Sequence, residues 1–239
     1  MHAIVTLPST EPRRLYRQIA DQLRTLIGNG EFVAGARLPS ERDLARQFGV
    51  SRPSVREALI ALEVAGWVEV RIGSGVYVLD RPTRATSPTD VREWGPLELI
   101  RARRVVEGET AALAALHGKR KHIDAMTRAI DAMQSMTERN VAPLDSDRAF
   151  HMAIVEASGN AVLIDTVQGF WDARNGPLFT RLGGYFETPR SWRSAIAEHQ
   201  AIHAAVVARD AMAARAAMHR HMDKSHQRFS ASWRLAQAG

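Results

Sequence analysis

The feature that most constrains this chain is the place where its alternation stops. Residues 67–78 read WVEVRIGSGVYV, apolar and polar in turn around a Gly-Ser-Gly step, the pattern of a short β-hairpin. From residue 96 onward nothing alternates. That stretch is rich in alanine and keeps a helical period, with breaks near Gly118, Val141–Pro143, Gly159–Asn160, Gly176–Pro177 and Gly183–Pro189. We therefore expect an α+β amino-terminal domain joined to an all-α helical bundle of six or so helices.

The amino-terminal part resolves further. After Pro12, which suits a first helical turn, Leu15, Ile19, Leu23 and Ile27 recur at helical spacing until Gly28 and Gly30 stop them. Ser40 caps a short helix, ERDLARQF, with Leu44 and Phe48 facing inward and Gly49 closing it. Ser51 caps a third helix, which Gly66 ends. The segment DRPTRATSPTDVRE, rich in Pro, Thr, Ser and charge, has no apolar period and reads as a linker. The expected division is residues 1–82, a linker over 83–95, and a helical domain over 96–239.

Composition narrows the classes. The 239 residues are 45% hydrophobic, enough for a real core. Cysteine is absent, which excludes disulfides, thiolate metal sites and cysteine nucleophiles. No apolar run reaches the roughly 18 residues of a membrane span, and the first residues carry too short an apolar patch for a secretory signal, so a cytoplasmic location is expected. The net charge of +6 is uneven in kind. Residues 1–84 hold twelve arginines and no lysine, whereas eight of the nine histidines lie beyond them. Two side-chain chemistries suggest two tasks.

Helix, short helix, sharp turn at FGVS, helix, then hairpin is the order of a winged helix-turn-helix. In that arrangement the second helix of the pair offers its first turns to the major groove of double-stranded DNA. Here those turns carry Arg52 and Arg56, whose forks can grip phosphate or a guanine edge. Positive charge opposes the dipole at a helix N-terminus, so an anionic partner should offset it. Ser51 and Ser54 can cap the helix or bond phosphate, and Gly73 and Gly75 give the hairpin a slim tip. The plainer alternative is a solvated, arginine-rich helix in a protein-binding domain. The run LPSERDLARQFGVSRPSVREALIALEVAGWVEVRIGSGVYV resembles the DNA-binding domain of GntR-family transcription regulators over roughly residues 12–79. The resemblance implies that Arg42, Arg52 and Arg56 reach the operator, with a wing glycine at Gly75.

In the second part, Asp147 and His151 of DRAFH stand one helical turn apart on one face. AEHQAIHAAV adds His199 and His203, and AAMHRHMDKSH adds His219, His221 and His226. One carboxylate with two or three imidazoles suits a divalent first-row ion, Zn foremost, with Ni or Mn as other candidates. Each histidine taken singly reads more readily as a solvated side chain than as a ligand, and Asp147 with His151 equally as a local ion pair. Ala217 lies one turn before His221 and Arg215 one turn before His219, which favours His221 as the inward residue.

The pattern D..FH...A.GN with EH..I and a late histidine resembles the FCD ligand-binding domain of the FadR-type branch, over roughly residues 96–230. That resemblance implies Asp147, His151, His199 and His221 as metal ligands, and a small carboxylate effector held beside the ion. From the pattern in ELIRARRVVEGE, Arg103 is the expected partner of the carboxylate, with Glu107 either orienting it or facing solvent. GPLELIRARRVVEGETAALAA and FWDARNGPLFTRL resemble the hexuronate and aldonate repressors of this branch, implying a sugar acid. Asn175 and Tyr185 are candidate pocket residues beside it, and Trp171 and Trp192 serve either pocket or core. The reading is a non-enzymatic regulator, acting as a homodimer on a pseudo-palindromic operator. Its rivals are a metal-dependent hydrolase with a DNA-binding head and a sensor of the metal alone.

Overall fold

A computed structural model describes residues 15–80 and 94–231. Pro12 and linker residues 83–93 lie outside the described residues. The chain divides into two compact units, one taking residues up to Leu97 together with Gly176–Leu182, the other Glu98–Asn175 with Gly183–Phe229.

In the first unit, helix α1 (Leu15–Gly28) buries Tyr16, Ile19, Ala20 and Leu23. Ile19 and Leu23 face inward as expected, whereas at the two ends of the stripe Leu15 is exposed and Ile27 half-buried. Tyr16 supplies the bulk that Leu15 was expected to bring. Helix α2 (Glu41–Phe48) begins at Ser40, whose hydroxyl accepts from the Asp43 amide, and ends at Gly49. That glycine sits at φ 67°, donating to the carbonyls of Ala45 and Arg46. A left-handed residue at this point reverses the chain tightly enough for Ser51 to cap helix α3 (Arg52–Val64) two residues later. Behind its first turn α3 buries Val55, Ala58, Leu59, Ile60 and Leu62. Strands β1 (Val68–Arg71) and β2 (Gly75–Val78) pair antiparallel, from Val68 opposite Val78 to Arg71 opposite Gly75. Val68, Val70, Val76 and Val78 point inward, as the alternation predicts. Gly75 has φ 135°, a region open to glycine, and a Cβ there would meet the Arg37 side chain.

The remaining described residues form helices α4 (Pro96–His117), α5 (Arg120–Glu138), α6 (Leu144–Glu156), α7 (Ala161–Arg174), α8 (Pro177–Phe186), α9 (Pro189–Val207) and α10 (Ala211–Ser230). No strand occurs among them. Seven helices replace the six or so expected because the turn between α9 and α10 is made without glycine or proline, by Arg209 at φ 60°, so no punctuation marked it. In the second unit α6 packs against α5 and α7, and α5 also against α9. Phe150, Ile154, Met126, Met133, Ile202 and Met218 fill the core.

Replacing Gly49 with alanine places a Cβ in the left-handed region at a cost of about 1–2 kcal/mol. The denaturant midpoint of Gly49→Ala should fall accordingly; an unchanged midpoint would argue against this turn.

Candidate metal centre and nucleic-acid interface

The front of α3 departs from expectation in one respect. Arg52 is exposed and Arg42, on α2, is more so. Arg56 is fully buried, with Nε donating to Glu41 Oε1 at 2.7 Å and Nη2 to Glu41 Oε2 at 2.6 Å. The same carboxylate lies 3.6 Å from Arg52. An anion does offset the arginines of this helix, and part of it is internal. In this conformation Arg56 clamps α3 to α2, its guanidinium turned to Glu41 and away from solvent. Ser51 and Ser54 are engaged with each other, 2.9 Å apart, while Ser51 caps the Ser54 amide. Arg42 and Arg52 keep their guanidinium groups exposed.

The second unit gathers its polar side chains from five helices. One face of α6 carries Asp147 and His151; α9 contributes His199 and α10 His221. All four are buried. The three imidazoles can bring one nitrogen each within 4.8 Å of the others. Asp147 Oδ1 is 3.3 Å from His199 Nε2 and 3.6 Å from His151 Nε2. Neither contact makes a hydrogen bond, and Asp147 Oδ1, His151 Nε2 and both His199 nitrogens have no hydrogen-bond partner among the described residues. Buried donors and acceptors are nearly always satisfied. A cluster of unmatched nitrogens around one carboxylate oxygen therefore fits a divalent cation accepting their lone pairs.

Two glutamates back these histidines. Glu198 accepts from His221 Nδ1 at 2.8 Å, leaving Nε2 for the cluster, and is itself held by Arg228 at 2.8 Å. Glu107 Oε2 lies 2.5 Å from His151 Nδ1, outside hydrogen-bond alignment. Its other oxygen takes Arg103 Nε at 2.6 Å. Of the two roles open to Glu107, orienting Arg103 is the one seen. Such outer partners fix the tautomer and raise ligand basicity. Burial pushes both glutamates up, but Arg103 and His151 hold Glu107 down at about 2, and His221 with Arg228 holds Glu198 at about 2. Burial drives His199 well below the ordinary imidazole value, reinforced by the neighbouring His221 and His151. His221 is lowered by burial despite Glu198. Neutral imidazoles are the form that binds a metal.

Trp171, on α7, forms the floor. Its ring lies under Arg103 at 4.3 Å and Arg174 at 5.3 Å, and 5.2 Å from the His151 ring. It also packs on Val155 and Val167, so it belongs to both core and site. Trp192 is buried in α9. The expected pocket residues fall beside more telling ones. Asn175 is the exposed C-cap of α7; Arg174, one step earlier, reaches to 3.8 Å from Asp147 Oδ2. Tyr185 is half-buried, and Glu187, two residues on, accepts from Arg174 at 2.7 Å. No period links Glu198 to His221, 23 residues apart, or Glu187 to Arg174, so spacing could not reveal these pairs. His203 bonds Thr127, and His219 packs against Gly108.

Glu107→Gln should weaken metal binding by roughly 10–100-fold, read by competition with a chelating dye; unchanged affinity would deny it an orienting role. Unfolded, His199 and His221 have the ordinary value of 6.5, and folding lowers both. The unfolded chain therefore takes up more protons below that value. Stability present above it is lost as pH falls, so the metal-free protein should melt lower at about pH 5.5 than at about pH 7.5. Glu107 and Glu198 change charge only in more acidic solution.

Two family models match: "Bacterial regulatory proteins, gntR family" over residues 15–78 and "FCD domain" over residues 98–224. The Uxu operon transcriptional regulator of Escherichia coli K12 is 36% identical, covering 92% of this chain and 89% of that protein. The Exu regulon transcriptional regulator of the same strain is 34% identical, covering 90% and 84%. Among solved structures, E. coli McbR/YncC has a TM-score of 0.50 at 24% identity, covering 88% of this chain and 94% of that one, a likeness of fold. No helix among the described residues is long and apolar enough to cross a membrane. This chain belongs to the GntR family of bacterial DNA-binding transcription regulators, carrying an FCD domain behind its DNA-binding domain.

Proposed function

We propose that this regulator sets its operator affinity by binding a small carboxylate, a sugar acid, against a divalent ion held by Asp147, His151, His199 and His221. The observation that carries the reading is the set of buried, unmatched nitrogens around Asp147 Oδ1, with Arg103 close by at Glu107. Bound there, the ion supplies Lewis acidity and positive charge to an anionic ligand. Arg103 is buried over Trp171 and presents a fork suited to a carboxylate. An acid that takes up Arg103 competes with Glu107, which also touches a metal ligand, so acid and metal affinities are linked through one side chain. On DNA, Arg42 and Arg52 read the operator and Gly75 keeps the wing slim, while Arg56 acts through Glu41 to position Arg52. The active species is a homodimer on a pseudo-palindromic site. The acid acts by binding two poses of the heads with different affinity.

The sensing test is a thermal-shift screen of Zn2+-loaded and metal-free protein against sugar acids, followed by operator binding with and without the acid that shifts. The expected result is an acid that raises the melting temperature only with metal and changes operator affinity. Operator release by the ion alone would make the protein a metal sensor, and consumption of the acid would make it an enzyme. On DNA selected from a random pool, Arg52→Ala should cost about 1–3 kcal/mol of specific affinity. Arg56→Ala should instead show as lost stability, about 3–5 kcal/mol, because Glu41 is left buried and unpaired.

A further inference from the structure

The charged groups around the metal cluster come in matched pairs. Among the described residues, Arg103 meets Glu107 at 2.6 Å, Arg174 meets Glu187 at 2.7 Å and Arg228 meets Glu198 at 2.8 Å. Lys224 also approaches Glu198, at 3.7 Å, but its side chain is 58% exposed and water screens it. Asp147 is the carboxylate left over. It lies between the imidazoles and Arg174, nearest to His199. Two guanidinium groups over one indole would ordinarily read as a clamp for two carboxylates. Each is instead already neutralised by a glutamate, and Glu187, although partly buried, is placed against Arg174 with no other evident task.

We propose that Glu187 is a specificity-determining residue that cancels Arg174 and so restricts the site to acids with a single carboxylate. The inference rests on the metal- and acid-binding reading above. A divalent ion brings two positive charges, and Asp147 removes one. A single positive charge then remains for the ligand, and a buried site tolerates little imbalance. A monocarboxylate closes the count, and its hydroxyls meet Glu187 and Arg174 as neutral hydrogen-bonding groups. A second carboxylate would face Glu187 and Asp147 across a poorly screened space. Without metal the same count is negative, so acids of either class are repelled.

The experiment is calorimetry on Zn2+-loaded protein with size-matched pairs, glucuronate against glucarate and glycerate against tartronate, with metal content checked after each titration. The wild type should bind a monocarboxylate at least 10-fold more tightly than its matched dicarboxylate. Glu187→Gln should erase or reverse that preference by releasing the charge of Arg174. The double variant Arg174→Gln/Glu187→Gln, in which the count is restored, should recover it, separating charge from packing. Equal binding of both acids by the wild type would overturn the proposal and leave acid sensing intact, and this comparison stands even if the variants misfold. An unchanged preference in a folded Glu187→Gln protein would also overturn it. If no acid binds the loaded protein, both the proposal and the sensing reading fall. Tight binding of any of these acids without metal would overturn the charge count itself.

Discussion

Three imidazoles and a carboxylate buried together, with nitrogens that nothing among the described residues satisfies, are the constraint around which the second unit is arranged. Removing polar groups from water without partners costs several kcal/mol, a cost that a bound cation would offset. The helices serve that end. The i, i+4 spacing on α6 turns Asp147 and His151 the same way, and α9 and α10 bring His199 and His221 across the bundle. Small residues let the helices approach closely: Gly108 of α4 leaves room for His219 of α10, where a methyl group would collide.

A second theme runs through both units: arginines that are neutralised where they are buried. Glu41 grips Arg56 in the DNA-binding unit, and Glu107, Glu187 and Glu198 each grip an arginine in the helical one. Breaking one member of such a pair is far costlier than the pair is stabilising. These ion pairs act mainly to hold shape, fixing the elbow between α2 and α3 and the relation of Arg103 to Trp171. The exposed arginines, Arg42 and Arg52, are of the opposite kind, with their charge available to solvent or phosphate.

Much of this was legible in the sequence because it is local. Caps at Ser40 and Ser51, the left-handed glycine at Gly49 and the alternating hairpin are written in adjacent residues, and the structure has each in place. The i, i+4 pair on α6 is local too. What escaped was long-range or unpunctuated. Arg56 was read from its place in a motif, but its burial depends on Glu41, fifteen residues earlier. Arg174 reaches toward Asp147 while its neighbour Asn175 caps the helix, a single step that turns a helical side chain by about 100°. The turn at Arg209 has neither glycine nor proline to announce it. Ion pairs between helices carry no period, so Glu187 and Glu198 could be found only in three dimensions.

The donor set around Asp147 consists of oxygen and nitrogen alone, in a chain without a single cysteine. Thiolate centres lose their metals when peroxide or disulfide stress converts sulfur to sulfenate or to a cross-link. That chemistry has no foothold here. A metal held by such a set would follow acidity and ion supply rather than thiol oxidation.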